Sequence, residues 1–406
     1  MKGNRWLIGT MFLVITLAGA DWPQFLGPAR DGTSPETGLL AAIPKQGPPR
    51  VWEREVGEGY SGPVIAGDRL VLFHRLGDKE VIECLDAATG KERWKFDYPT
   101  AYQDDFGKGN GPRSTPAIVD GRVYALGAEG TLTCLGLAKG NKLWQRALDK
   151  EYRPHKGFFG VATSPLVEGK LVLINVGAPG AGIVAFDKDT GKEVWKATDQ
   201  EASYASPVAA TIDGVRHVLF FTREGLVSLD PADGRVRFSK RWRSRIDASV
   251  NAASPVVAEG HVFLTASYGT GAILLKVKKD GVEEVWKGND SLSCHYGTPV
   301  LRDGHLFGFD GRQEQGARLR CVEWKTGKLC WTREGFGCGS LIAADGKLLV
   351  LSEDGDLVLI DPIPNTYREK GRAHLLNGPA RAPIALANGR LYARDGRRLA
   401  CWDLRK

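Results

Sequence analysis

The chain has 406 residues, 42% hydrophobic and 25% charged, with 51 glycines, seven cysteines and a formal net charge of +7. Such a length ordinarily divides into two or three domains unless a repeat architecture absorbs it, so repeats come first. The positive charge is modest and interspersed, as on a solvated surface, and even the richest basic run, 240–245, gives no footing for a nucleic-acid partner.

The first twenty residues stand apart. Lys2 and Arg5 precede the apolar run Trp6–Leu17, which leads to Ala18, Gly19 and Ala20 and then to polar Asp21. This is the three-part pattern of a secretory signal peptide, with cleavage expected after Ala20. The run is shorter than the roughly 20 residues that span a bilayer. Ala20 also stands where a lipoprotein signal carries its cysteine, so no thiol is left for lipid attachment. The expectation is a soluble, monomeric periplasmic or secreted product with no membrane span, made of a leader segment at 21–49 and one repeat domain at 50–406.

From residue 61 onward one phrase recurs: a small or hydroxyl residue, Pro, an apolar residue, then a turn ending in Gly. It appears at Ser61-Gly62-Pro63, Thr115-Pro116, Ser164-Pro165, Ser206-Pro207, Ser254-Pro255 and Thr298-Pro299, with degenerate copies at Ser340-Leu341 and Ala382-Pro383. The spacing, in the forties of residues with one wider step, is that of four-stranded propeller blades. A second phrase follows about 30 residues after the first, as Asp86–Trp94, Asp187–Trp195 and Glu323–Trp331, each with Thr-Gly-Lys at its centre. Asp and Gly there suit a tight turn, because the carboxylate bonds nearby backbone and Gly tolerates φ > 0. The flanking apolar runs read as strands. Each unit therefore carries an aromatic on its outermost strand, able to slot against the next blade.

The ends of the chain complement each other. The last unit has three strands, from Ala382 to Leu404, and stops; Arg50-Val51-Trp52-Glu53 supplies a docking aromatic with no strands before it. Pairing them closes the ring and removes the exposed sheet edges of an open array. The expected fold is an all-β, eight-bladed β-propeller of four-stranded antiparallel blades, closed by an N-terminal strand completing the last blade. Its docking aromatics are Trp52, Trp94, Trp144, Trp195, Phe238, Trp286, Trp331 and Tyr367. Seven blades result if the degenerate unit near 341–367 merges with a neighbour.

The Asp-x-x-Thr-Gly-Lys-x-x-Trp copies resemble the pyrroloquinoline-quinone (PQQ)-like propeller repeat family, which contains quinoprotein alcohol dehydrogenases and the outer-membrane assembly lipoprotein BamB. The resemblance runs from Trp52 to the C-terminus. The opening Asp21–Gly32 is similar to the leader of PQQ-like proteins from planctomycete-type bacteria. Membership implies either a non-catalytic scaffold of the BamB kind or an oxidoreductase using PQQ with calcium. The dehydrogenases carry an adjacent cysteine pair and a much longer chain; this sequence has no Cys-Cys.

In such blades the turns between strands one and two and between three and four share one face, and the remaining connections share the other. The first set is short and stereotyped. The second holds the irregular stretches 96–114, 146–163, 176–182, 240–253, 268–271 and 309–318, and elaborated loops carry function most often. Around the axial mouth of that face the expected ligand- or partner-binding residues are Tyr60, Asp104, Asp105, Arg113, His155, Tyr204, Asn251, His295, Tyr296, Asp310 and Arg312. They suit an anionic or polyhydroxylated small molecule, or they simply fill a wet channel.

Enzyme and metal motifs are missing: there is no Cys-x-x-Cys, no His-Glu-x-x-His and no Gly-x-Ser-x-Gly. No catalytic residue, metal ligand or cofactor is assigned. Cys84, Cys134, Cys321 and Cys401 share one repeat position and read as small core residues. Cys321 and Cys330 flank one turn and form the one candidate disulfide. The functional expectation is an exported binding or scaffold propeller presenting its loop-rich face to a periplasmic or envelope protein or glycan.

Overall fold

A computed structural model describes residues 20–279 and 281–406. The expected signal peptide, apart from Ala20, lies outside the described residues. Eight sheets of four antiparallel strands follow one another around a central axis. Blades one to seven each use four consecutive strands, beginning at Val64, Ala117, Leu166, Val208, Val256, Val300 and Gly339. Blade eight combines Ala385–Ala387, Arg390–Arg394 and Arg398–Asp403 with Arg50–Glu55 from the other end of the chain. The unit at 339–374 is a complete blade of its own, so the count is eight.

Closure is antiparallel, with Trp52 opposite Cys401, Glu53 opposite Ala400 and Arg54 opposite Leu399. A buried polar group reinforces it. Arg394 is wholly buried and donates to the Gly57 carbonyl at 2.6 Å, while the Gly57 amide donates to His74 Nδ1 at 2.8 Å. Arg54 on the closing strand reaches buried Glu83 of blade one at 2.7 Å. The end of the chain is thus tied to blade one as well as to blade eight.

The recurring hydroxyl has a structural reason. The Gly62 amide donates to Thr115 Oγ1 at 3.1 Å, and at 3.0 Å the Thr115 amide donates to Ser164 Oγ, Ser164 to Ser206, Ser206 to Ser254 and Ser254 to Thr298. Each blade therefore satisfies a buried backbone donor of the blade before it, a relay running around the axis through the six well-formed copies. It stops at the degenerate copies, where Ser340 Oγ is buried without a partner.

Blade contacts at the periphery follow the second phrase. The indole nitrogens of Trp52, Trp94, Trp144, Trp195, Trp286 and Trp331 donate to Ala87, Leu137, Lys188, Pro231, Trp324 and Ile363 carbonyls, all in the next blade. The turn glycine lies flat on the ring: a Cβ at Gly140 would come within 2.5 Å of Trp94, and its φ of +69° is itself a glycine conformation. Phe238 fills the position in blade four without a hydrogen bond.

Blade seven departs from expectation. Its outer strand is Glu369–His374, so Tyr367 precedes the strand. The Tyr367 ring packs on Trp331 of blade six at 5.6 Å. At the docking position stands Gly371, and a Cβ there would lie 2.4 Å from the Ile43 carbonyl. Ile43 bonds the Lys370 carbonyl at 3.0 Å and joins the core of Leu359 and Ala373. The leader thus supplies the side chain that blade seven lacks.

The rest of the leader crosses the axis on the frame face. Trp22 pairs with Ile65 of blade one, and the Pro23 carbonyl accepts from Ile118 of blade two. Arg30, 4% exposed, donates to the Pro165 carbonyl of blade three at 2.9 Å. Ser34 reaches Ala343 of blade seven, and Leu40 reaches Leu404 of blade eight. Arg30 meets carbonyls and no carboxylate, and burial lowers its pKa to about 9.

The free thiols include both Cys321 and Cys330, so the candidate bridge is not formed. Cys321 lies opposite Trp331, with a β-bulge between it and Val322, and its thiol is in hydrogen-bonding contact with that of Cys330.

Candidate functional site

A cavity of about 410 Å³ opens on the loop-rich face and runs down the axis. Phe25 of the leader belongs to its lining, so the segment that crosses the frame face forms the floor. The relay residues Ser164 and Ser206, both buried, line it as well, together with the small residues Ala162 and Ala252 and, exposed on the 240–253 loop, Ala248. Higher up the lining becomes aromatic and cationic.

Six residues expected from sequence line it: Tyr60, Arg113, Tyr204, His295, Tyr296 and Arg312. Arg113 is central. Its guanidinium lies 5.5 Å from the Tyr60 ring centre, 5.9 Å from Tyr102 and 5.7 Å from Phe159, and Asp104 Oδ1 pairs with it at 3.3 Å. Its Nη1 is buried without a hydrogen-bond partner. Arg312 stacks over Tyr268 at 4.7 Å with Glu314 at 3.4 Å from its Nε. Stacking of this kind fixes the plane of a guanidinium and leaves its edge free to bind.

His295 is oriented from both sides. The Gln313 amide donates to Nδ1 at 3.3 Å, which leaves the proton on Nε2, facing the Tyr268 hydroxyl at 3.0 Å. Burial lowers its pKa, so the ring is neutral at pH 7. Tyr204 accepts from the Phe159 amide at 3.0 Å, and burial pushes its hydroxyl up to about 12.

Five expected residues lie outside the lining. Asp104 sits directly behind Arg113. Asp105 is on the exposed rim, paired with Lys156 at 2.6 Å, and His155 is exposed beside it. Asn251 is buried and structural: its carbonyl accepts from the Tyr204 and Ala205 amides, and its side chain donates to Thr222 at 2.8 Å. Asp310 is buried too, holding the Ser293 amide at 2.8 Å and Arg318 and Arg320 at 3.0 Å each. Short polar side chains next to inner strands are taken up by the backbone there, which sequence position alone does not reveal.

The sequence reading missed the aromatic part. Phe106, Phe158 and Phe159 pack edge to face or tilted at 5.8 and 5.4 Å around the mouth, and Phe106 is 52% exposed. Lys108, Tyr268, Gln313, Glu314 and Arg381 also line the cavity. Glu353 gathers three of these walls by accepting from Tyr296, Gln313 and Arg381. Phe158-Phe159 in a long loop was the available signal, since adjacent aromatics outside any strand need a surface to cover.

The repeat and the ring can now be set beside known proteins. A family model described as outer membrane protein assembly factor BamB matches residues 77–333. The chain belongs to that family. BamB of Yersinia pestis is 23% identical over 82% of this chain and 84% of its own, and BamB of Xanthomonas campestris is 28% identical over 63% of each. The crystal structure of BamB from Moraxella catarrhalis superposes with a TM-score of 0.64 at 16% identity, over 87% of this chain and 97% of that one. Quinohemoprotein alcohol dehydrogenase from Comamonas testosteroni is more distant, with a TM-score of 0.52 at 15% identity over 94% and 80%. These structures share the fold.

PQQ with calcium, the cofactor pair of the dehydrogenase branch, does not fit the residues of this BamB-family chain. Among the described residues no group of three or more His, Cys, Asp or Glu side chains is placed to hold a metal ion. The carboxylates at the cavity, Asp104, Glu314 and Glu353, are each engaged by a guanidinium.

Proposed function

We propose that this chain is an exported, non-catalytic binding propeller that presents its loop-rich face to a protein or glycan of the cell envelope. The observation that carries the reading is the asymmetry of the two faces. On one, stereotyped turns and the leader form a sealed frame. On the other, irregular loops surround a mouth with exposed aromatic and cationic side chains, the composition of a recognition surface. The similarity to BamB proteins, whose name describes an outer-membrane assembly factor, supports the same assignment. No helix of the described residues is long and apolar enough to cross a membrane.

Affinity capture from an envelope extract tests it, with Phe106→Asp and Arg312→Ala on the mouth and Lys91→Ala and Lys192→Ala on the frame turns as controls. The mouth variants are expected to lose the captured partner and the frame variants to keep it. Capture unaffected by the mouth variants, or saturable PQQ binding with dye-linked alcohol oxidation, overturns the reading.

A further inference from the structure

The cavity carries a charge and polarity pattern that discriminates among ligands. Its lining supplies four cations, Lys108, Arg113, Arg312 and Arg381. Three carboxylates answer them: Asp104 on Arg113, Glu314 on Arg312 and Glu353 on Arg381. Four minus three leaves a surplus of one positive charge, and neutral His295 adds nothing to it. The cation left over is Lys108, whose charge acts on His295 and Glu314. Arg113 and Arg381 both lie over Tyr60, at 5.5 and 5.8 Å, and the Tyr60 hydroxyl donates to the Lys108 carbonyl. Arg113 is 11% exposed; its Nη2 donates to Asp104 and the Gly109 carbonyl, and its buried Nη1 has no hydrogen-bond partner.

The remaining surface is apolar. Tyr60 and Tyr296 give their hydroxyl protons to the Lys108 carbonyl and Glu353, and Tyr204 and Tyr268 accept from the Phe159 amide and His295. A sugar carries hydroxyls on every side, and against these phenylalanines most would lose their partners on entry. A phosphate brings close to two charges for a surplus of one and has no body to cover the aromatic wall. The leader floor admits a compact molecule or a chain end and blocks a threaded strand.

We propose that the cavity is a binding site for an apolar monocarboxylate, its carboxylate held by Arg113, Arg381 and Lys108 and its body against Phe25, Phe158 and Phe159. This goes beyond the partner reading, because the ligand is small and its binding needs only the purified chain. Two sources share the chemistry: a free aromatic or aliphatic acid, and the carboxyl-terminal apolar residue of a polypeptide.

Calorimetric titration of the full chain tests it. 3-Phenylpropanoate is expected to bind saturably, and its amide about tenfold or more weaker, as for loss of a charge-assisted hydrogen bond. Glucuronate is expected not to compete. Lys108→Gln should weaken the acid about tenfold while keeping the wild-type thermal midpoint; Arg381→Gln should weaken it likewise but lower the midpoint, because Glu353 loses its guanidinium. A tetrapeptide ending in Phe, with free or amidated terminus, separates the sources: tighter binding than phenylpropanoate by the free-acid form assigns a polypeptide end, weaker binding a free acid. Equal binding of acid and amide, displacement by glucuronate, or no binding by any acid at millimolar concentration overturns the proposal, whatever the capture experiment gives.

Discussion

Trp52→Ala probes ring closure directly. The side chain is 9% exposed, with its ring under Gly90 of blade one and 6.1 Å from Tyr392 of blade eight. Truncating a buried tryptophan costs about 3–5 kcal/mol, from transfer and residual cavity together. The lost indole hydrogen bond adds little, because the Ala87 carbonyl also accepts from the Tyr392 hydroxyl at 3.2 Å and is not left bare. We expect a loss of about 4 kcal/mol for Trp52→Ala and about 1 kcal/mol for Trp52→Phe, which keeps a ring and forfeits only the donor. Urea unfolding followed by far-ultraviolet circular dichroism measures both, the midpoint moving at constant slope. A loss below about 1 kcal/mol for the alanine variant would mean that Arg50–Glu55 does not complete blade eight in solution, and the reasoning about closure would be refuted.

Three further outcomes follow from the geometry. Ser206→Ala strands the buried Ser164 amide and should cost about 1–3 kcal/mol; a neutral result would show that the relay is incidental. Burial holds the His74 imidazole below its ordinary 6.5 despite Glu83 at 3.4 Å. The unfolded chain takes up that proton first, so stability is full above pH 6.5 and declines as pH falls below it. The Glu83 carboxyl, where burial is outweighed by His74 and Arg54, is held below its ordinary 4.5 and contributes a separate, lower step. His74→Gln should shrink the upper step in a plot of urea midpoint against pH, leaving the share of His217 and His295, which burial lowers too, and an unchanged step would refute the assignment. Finally, Cys330 is half-buried while the other six cysteines are buried, and burial raises the thiols of Cys84, Cys134, Cys338 and Cys401 to about 12. Maleimide labelling of the native chain should therefore tag Cys330 alone, as read by mass spectrometry.

The architecture was legible because it is written in local chemistry repeated eight times. A turn that needs Gly140 beneath Trp94, or a hydroxyl that must cap its neighbour's amide, leaves the same residue types at corresponding positions in the well-formed copies. Closure was legible for a related reason, since an orphan Trp52 and an orphan three-stranded unit have only each other. What occurs once was not. The leader obeys no period, so nothing marked Ile43 as the occupant of Gly371's empty slot, and Tyr367 was chosen in its place as the nearest aromatic. At the mouth, polarity pointed to Arg113 and His295 and equally to Asn251 and Asp310, because satisfied and unsatisfied polar groups look alike in sequence. The phenylalanines around Arg113 were passed over, being apolar residues that ordinarily need no comment.

The strap beneath the axis has a consequence for how the molecule comes into being. Ser34, Leu40 and Trp52 are among the first residues made, yet their partners Ala343, Leu404 and Cys401 are among the last. Trp22, Pro23 and Arg30 meet blades one to three early, but until blades seven and eight are made Ser34, Leu40 and Trp52 have nothing to hold, and these contacts span most of the polypeptide, the most slowly won kind. Seven blades can assemble in order behind it. The far end of the strap and the seam must then be seated together, so maturation of this ring waits on its last blades.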